Sequence, residues 1–474
     1  MKLNSSTLSQ LTVAKPTYDR DEITVGIVHF GVGGFHRAHQ AYYVDQLLEQ
    51  GQAKDWGICG VGVLPNDRKM KDALDAQDGL YTLILMNPDG SRDVRVIGSI
   101  IDYRYAPDDP EAVIELLAAP STRIVSLTIT EGGYQLPQRT SADDGSVFGL
   151  VTAALQRRRD RDITSFTIVS CDNIEGNGDV ARETFTEYAD RHHPELSVWM
   201  AEHTRFPNSM VDRITPVTTP DVITTLAEVD GIEDQWPVVA EPFTAWALED
   251  HFVDGRPPFE EVGVLTVEDV TPYELMKLRL LNAGHQGLCY FAYLLGYRLV
   301  HDAASDPLIA DFLTEYWDSE ATPTLLPVPG IDLPAFKRTA IERFANPGVR
   351  DTVARLCADS SDRIPKWLVP VIRTNLATGE PVRLSAAIVA SWARYAEAVD
   401  EQGEPIQVVD QLADELIPIA KSQLENPLAF IENEALFGDL AQQPRFVEAY
   451  RWALDSLHRD GARATLEALR KGDE

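Results

Sequence analysis

Residues 24–50 limit the fold of this chain more than any other stretch. Thr24 to Phe30 is a β-rich apolar run, GVGG over residues 31–34 is a turn, and a helical pattern follows from about His36 to Gln50. A strand that feeds a helix through a Gly31–Gly33 pair is the opening unit of a doubly wound sheet. It points backbone N–H groups at the place where a dinucleotide pyrophosphate is received. The third glycine of the usual fingerprint is absent, with His36 in its place. A glycine-rich turn with no ligand therefore stays open as the plainer alternative. Gly31, Gly33, Gly34 and Phe35 are the candidate cofactor contacts. His36 and Arg37, in the first helical turn, are candidates for phosphate or substrate, with ordinary helix-surface side chains as the alternative.

The rest of the N-terminal half repeats the alternation. Apolar strands are expected at Trp56 to Val63, Tyr81 to Met86, Val94 to Ile100, Arg123 to Thr130 and Phe166 to Ser170, and NPDG at 87–90 reads as a tight turn. The strands alternate with helical segments such as 110–118 and 179–192. Strands alternating with helices argue for an α/β domain of the Rossmann type, a doubly wound parallel sheet. From about residue 270 helical patterns take over, at 272–296, 305–319, 335–345, 349–358, 384–399, 407–424 and 445–470. The expected organisation is a dinucleotide-binding domain over 1–265 and a mostly α-helical domain over 266–474.

The segment TPYELMKLRLLNAGH, residues 271–285, carries the densest chemistry. Thr271 reads as an N-cap, Pro272 as the first helical residue and Glu274 as the return arm of a capping box. At about 100° per residue, Glu274, His285 and Asn282 fall within roughly 140° of Lys277 around the helix axis. Leu275, Leu278, Leu281 and Leu288 cover other faces, so the helix is expected to be buried. A lysine in such a place must find partners or lose its charge, which is how a lysine is prepared as a base. Snorkelling to solvent is the alternative for Lys277, and a satisfied core histidine is the alternative for His285. The pair Tyr273 and Lys277 also has the spacing of the short-chain dehydrogenase tyrosine and lysine, but it opens a second domain with Tyr273 close to the helix start.

Ligands in open α/β sheets bind outside the carboxyl ends of strands. Asn173 follows SCD at the end of one buried strand, and Thr130 and Glu131 occupy the equivalent place after another. Asn173 and Asn282 are each able to offer an amide N–H to a developing alkoxide; turn capping is the alternative for Asn173. Asp67 is the acidic candidate for the adenosine ribose, which favours NAD over NADP, with a first-turn helix acid as the alternative.

A net charge of −32 repels nucleic acid and anionic membrane surfaces. No apolar run reaches a membrane span, and the polar N-terminus lacks a hydrophobic signal core, so a cytoplasmic location is expected. Cys59, Cys171, Cys289 and Cys357 form no C-x-x-C pair, and no metal-ligand spacing is present. Lysine is absent between Lys71 and Lys277.

Five motifs together resemble one known family. They are FGVGGFHRAHQ at 30–40, SLTITEGGY at 126–134, SCDN at 170–173, FPNSMVDRITP at 206–216, and Lys277, Asn282 and His285 at their spacing. The chain is similar over nearly its whole length to the polyol-specific long-chain dehydrogenases/reductases, the mannitol 2-dehydrogenase family. The resemblance implies a Rossmann-type domain and a helical domain with a substrate cleft between them, and a monomer. It implies metal-free, reversible hydride transfer between NAD and a polyol such as mannitol, giving fructose. By the same analogy Lys277 is the general acid/base, Asn173 and Asn282 form the oxyanion hole, His285 and Asp212 bind substrate hydroxyls, and Glu274 conducts the proton to solvent.

Departures from the family bear on the substrate. Arg363 stands where relatives often carry lysine, and arginine cannot be deprotonated. Asn66 replaces a second acid found in some relatives, which leaves NADP usable at lower efficiency. The segment after Tyr134 is shorter than in some members. A reductase of a ketouronate such as fructuronate, its anion held by Arg355 or Arg363, is the enzymatic rival. Another polyol such as D-arabinitol is a further alternative, and an inert NAD-binding regulator is the reading of a different class.

Overall fold

The computed structural model describes residues 1–136 and 145–470. It divides into two compact units, Met1–Thr271 and Pro272–Glu474. The division falls a few residues beyond the expected boundary at 265.

The first unit is built on a five-stranded sheet of order β5-β2-β1-β6-β7, every neighbouring pair parallel. Its strands are β1 Val25–Phe30, β2 Gly57–Gly62, β5 Ile100–Tyr105, β6 Ile124–Leu127 and β7 Thr167–Ser170. Successive side chains point to opposite faces. Val28, Phe30, Val125, Leu127 and Ile168 pack against α4 (Pro110–Ala118), α5 (Val147–Asp160) and α6 (Asn177–His192). Ile27, Ile58, Ile100, Ile124 and Val169 pack with α2 (Gln40–Glu49) and α3 (Asp67–Asp75) on the other face. Both faces being covered, each buried aliphatic side chain contributes about 1.5–3 kcal/mol. The strand order reverses between β2 and β6 on either side of β1, which defines the ligand crevice at the carboxyl ends of β1 and β6.

Two smaller sheets depart from the expected single sheet. The hairpin β3 (Tyr81–Met86) and β4 (Arg92–Ile97) pairs with β9 (Val238–Ala240) instead of joining the parallel sheet. The expected strand 94–100 is cut, because Gly98 and Ser99 lie between β4 and β5. The third sheet has the order β11-β10-β8, from β8 Ser209–Asp212, β10 Ala245–Glu249 and β11 Leu265–Val267. The expected helix 36–50 is also broken. α1 (Gly34–Ala38) stops at His39 (φ −122°, ψ −92°) before α2 begins. The α1 carbonyls Arg37 O and Ala38 O are taken by Tyr81 Oη and Arg213 Nη1, so the α-helical ladder cannot continue. Helices α7 (Pro194–His203) and α8 (Pro220–Val229) complete the unit.

The second unit is helical around one apolar core in which Tyr290, Trp317, Trp392 and Tyr450 are fully enclosed. Its first helix is interrupted. α9 (Thr271–Met276) passes into a π-helical turn, Lys277–Asn282, and then into α10 (Ala283–Leu294). Thr271 is helical and its N–H is met by Asp269 Oδ1 at 2.9 Å. The expected capping box is thereby replaced, since the donor Glu274 was to satisfy is already taken. The expected helix 445–470 is two helices, Pro444–Arg459 and Gly461–Arg470. Two helices for which no pattern was given, Ser360–Trp367 and Val369–Thr378, accommodate Pro365 inside one and Pro370 in the first turn of the other.

Candidate active site

In the first unit the glycine turn sits at the end of β1. Gly31 has φ 91°, and a Cβ there would lie 2.1 Å from Thr128 O, so the backbone contact with the end of β6 requires glycine. Gly33 is different. Its φ of −99° suits any residue, and a Cβ would meet nothing of the protein nearer than Gly31 O at 3.8 Å. The space over Gly33 is open, so sterics do not demand a glycine there, although glycine serves better than alanine as the N-cap of α1. That space leaves room for a ligand to approach the backbone closely. Gly34 opens α1 with Phe35 behind it, both half-buried.

His36 and Arg37 turn inward. The His36 ring stacks on His29, centroids 3.4 Å apart, and is 1% exposed; burial, then the neighbouring His29 and Arg37, hold it neutral. The Arg37 guanidinium donates to Gly33 O at 3.3 Å and to Trp236 O, beside the Tyr81 ring. Both side chains brace the turn from beneath.

Asp67 stands at the first residue of α3, beyond β2. Its Oδ2 accepts from the N–H groups of Val63 and Leu64 at 2.9 and 2.8 Å, which fixes the carboxylate at the strand end. Thr130 and Glu131 are exposed just past β6, and Asn173 is exposed just past β7. The strand ends therefore bring Gly33, Thr130 and Asn173 to one edge of the sheet, in the order β1, β6, β7. Asp212 is the last residue of β8, opposite Ala245, and is buried.

Three supporting side chains escaped sequence reasoning. Asp172 receives the N–H groups of Ile129 and Thr130 at 3.1 and 2.7 Å and the Tyr134 hydroxyl at 2.8 Å. Burial pushes its carboxyl up from the ordinary range, and those donors oppose the shift. His29 faces its strand partner Ser126, Nδ1 to Oγ 2.8 Å, and Thr128 Oγ1 at 3.0 Å through Nε2. Asn177 Nδ2 donates to Asp172 O and Ser209 O, at 3.0 and 2.8 Å, which anchors the loop carrying Asn173. The SCDN run carried a visible sign of Asp172, a carboxylate at a strand end.

In the second unit, Lys277 opens the π-helical turn and Asn282 closes it; both are buried, as is Glu274 one turn earlier. The wider turn replaces the expected α-helical angles between these residues. Side chains at the end of the helix Pro307–Tyr316 and just beyond it add donors to the turn: Tyr316 Oη to Arg279 O at 3.3 Å, and Trp317 Nε1 at 2.7 Å to Leu280 O, which also accepts from the Ala283 N–H. Such turns recur at functional sites. His285 is half-buried, its ring 4.4 Å from that of Phe344. Arg355 forks onto Asp351, Nε to Oδ1 at 2.6 Å and Nη2 to Oδ2. Arg363 Nη1 donates to the carbonyls of Arg355 and Leu356, at 3.2 and 3.1 Å.

Comparison with known proteins matches both units. Residues 25–261 match the family model of the mannitol dehydrogenase Rossmann domain, and residues 269–458 that of the mannitol dehydrogenase C-terminal domain. A mannitol 2-dehydrogenase of Phaeosphaeria nodorum is 45% identical over 98% of this chain and 85% of its own. One from Aspergillus fumigatus is 42% identical over 98% of each chain. Among solved structures, the Pseudomonas fluorescens mannitol 2-dehydrogenase ternary complex with NAD and D-mannitol superposes with a TM-score of 0.88, 43% identity and full coverage of both chains. A D-sorbitol dehydrogenase in substrate-free form gives a TM-score of 0.92 at 37% identity, over 98% of this chain and 100% of that one.

Proposed function

The chain belongs to the mannitol dehydrogenase family, and from that premise we propose that it is a polyol 2-dehydrogenase that interconverts D-mannitol and D-fructose with NAD. The observation that carries the cofactor is the open space over Gly33 at the helix start, where a Cβ would meet nothing of the protein nearer than 3.8 Å. Bound NAD supplies the hydride acceptor. Gly31, Gly33, Gly34 and Phe35 receive its pyrophosphate, Asp67 its adenosine ribose, and Thr130 and Glu131 its other half. A carboxylate at Asp67 repels a 2′-phosphate, so NADP serves less well.

The residues then act on the substrate. The neutral Lys277 amine accepts the proton of the C2 hydroxyl as the C2 hydrogen departs with its electron pair and the C2–O bond becomes a carbonyl. Amide N–H groups of Asn173 and Asn282 donate to the oxygen as charge develops on it. His285 and Asp212 orient the substrate hydroxyls, and Glu274 passes the lysine's proton outward. In the reverse direction the Lys277 ammonium returns the proton. The mechanism is taken as metal-free, with the lysine amine and the two amides meeting the proton and the developing charge.

A ketouronate needs a cation that no carboxylate already neutralises, and the Arg355 fork on Asp351 weakens that rival. Arg363 and Arg355 are assigned to the polyol end of the substrate. D-Arabinitol stays a candidate, and the D-sorbitol dehydrogenase neighbour favours sorbitol as a second substrate to test. We also take the enzyme as a cytoplasmic monomer. Four buried free cysteines support a reducing compartment, and among the described residues no helix is long and apolar enough to cross a membrane.

The deciding experiment follows NADH absorbance with mannitol, arabinitol, sorbitol and fructuronate against both cofactors. Mannitol with NAD is expected to give the highest kcat/KM. Preference for fructuronate, or no absorbance change with any of these substrates, overturns the reading.

A further inference from the structure

Thr130 lies at φ 66° and ψ 166°, a region of backbone space that only glycine enters freely. Among the described non-glycine residues with positive φ it alone is β-branched. Strain of this kind persists where the surroundings over-determine the backbone. They do so here at three consecutive residues. Thr128 Oγ1 donates to Gly31 O at 2.7 Å and lies 3.0 Å from His29 Nε2. The N–H groups of Ile129 and Thr130 both end on the Asp172 carboxylate. That carboxylate, 7% exposed, is itself held by the Tyr134 hydroxyl, 2.8 Å from Ser170 Oγ.

The location gives the strain a purpose. Thr130 is exposed at the carboxyl end of β6, beside the glycine turn of β1, where the strand order reverses. With the adenosine ribose at Asp67 beyond β2 and the pyrophosphate at Gly33 beyond β1, the remaining half of a dinucleotide extends over the ends of β6 and β7. We propose that Asp172 is a positioning residue for the nicotinamide half of the cofactor. By clamping the amides of Ile129 and Thr130, it holds the loop in a strained shape against which the nicotinamide ribose is set. The inference rests on the NAD reading above. Asp172 touches neither cofactor nor substrate in this role and acts through the Thr130 backbone.

The thermodynamic signature separates positioning from general support. Without the clamp, the loop relaxes and each binding event must restore the strain; glycine at 130 removes that cost. The test compares wild type with Asp172→Ala, Asp172→Asn, Thr130→Gly and the double variant Asp172→Ala/Thr130→Gly. NADH dissociation constants are read by fluorescence, KM for NAD and mannitol and kcat from initial rates, and folding from circular dichroism and urea midpoints. Asp172→Ala is expected to raise the NADH dissociation constant and KM for NAD about tenfold to a hundredfold, the equilibrium equivalent of strain in this backbone region. KM for mannitol at saturating NAD should change much less. Asp172→Asn, which keeps one acceptor oxygen, should be intermediate, and it serves as the test if Asp172→Ala fails to fold. Thr130→Gly sets the baseline for an unstrained loop, and Asp172→Ala in that background should weaken NADH binding by no more than about threefold further. A lowered urea midpoint with unchanged NADH affinity, or an Asp172→Ala loss as large in the Thr130→Gly background as in wild type, overturns the proposal. A wild-type protein that binds neither NADH nor NADPH overturns the parent reading, and this one with it.

Discussion

Two glycines two residues apart should respond in opposite ways to the same added methyl group. Gly31→Ala forces an L-residue into φ 91° and drives a Cβ to 2.1 Å from Thr128 O. The left-handed backbone costs about 1–2 kcal/mol and the clash about 1–3 kcal/mol more, so a loss of about 2–5 kcal/mol in folding stability is expected. Gly33→Ala meets no such obstacle, with φ −99° and 3.8 Å to its nearest neighbour. Reduced freedom in the unfolded chain favours the folded state by about 0.4–1 kcal/mol. Alanine's poorer performance as an N-cap costs a similar amount, about 0.5–1 kcal/mol. Stability should therefore stay within about 0.5 kcal/mol of wild type. The methyl group instead occupies space assigned to the pyrophosphate, and NADH affinity should fall by about tenfold or more, at least ~1.4 kcal/mol. Urea titration gives the first quantity and tryptophan quenching by NADH the second. A folded Gly33→Ala protein that binds NADH like wild type would remove the turn from the cofactor site. A Gly31→Ala protein as stable as wild type would show that the contact with Thr128 does not constrain the turn.

Other outcomes follow from single contacts. Lys277→Ala should lower kcat by about 10²–10⁴-fold, a range set by general acid/base catalysis, while NADH affinity stays near wild type; loss of NADH binding would mark the lysine as structural. Because the reacting form is the free amine, wild-type kcat/KM for mannitol oxidation should climb with pH, and a flat profile would count against Lys277 as the base. Trp317→Phe removes the indole donor to Leu280 O and opens space in the core, which should cost about 2–4 kcal/mol in urea and lower kcat while KM for NAD holds. Burial pushes the Glu320 carboxyl up to about 7, against three donors from the start of the helix Arg383–Tyr395. A raised folded-state value stabilises fully below the unfolded value of about 4.3 and is lost as pH rises through about 7. Glu320→Gln should flatten the stability profile across that window, and an unchanged slope would refute the assignment.

The parallel sheet was legible because its strands are short, apolar on both faces and separated by helical patterns; Ile27, Val28, Ile124 and Val125 say as much. The hairpin turn at 87–90 was equally plain, yet its sheet was not. Whether β3 joins β2 or β9 depends on a strand more than 150 residues later, and Val238 to Ala240 is too short to announce itself. The helices at 360–378 were hidden by Pro365 and Pro370, which local rules read as breaks. Proline is tolerated where the N–H it lacks has no obligatory partner, as in a first helical turn. That circumstance belongs to the folded chain rather than to the dipeptide.

The site divides along the same line. Lys277, Asn282 and His285 were singled out because four polar groups crowd an apolar segment, and that density survives any error in helix geometry. Their mutual angles did not survive. Reckoning at 100° per residue assumes that every carbonyl keeps its partner four residues on. Here Leu278 O is met by the N–H of Ala283, five residues on, while Trp317 Nε1 and Tyr316 Oη add donors to Leu280 O and Arg279 O. Asp172 shows the converse. Its type and its place at a strand end were in view, but its importance lies in two amide donors and one strained φ, none of which has a letter in the sequence. Residues that touch a ligand announce themselves by chemical type. Residues that set the backbone for them are recognised by which N–H and C=O groups they claim, so the Asp172 and Trp317 variants test the part of this enzyme that pattern reading alone could not reach.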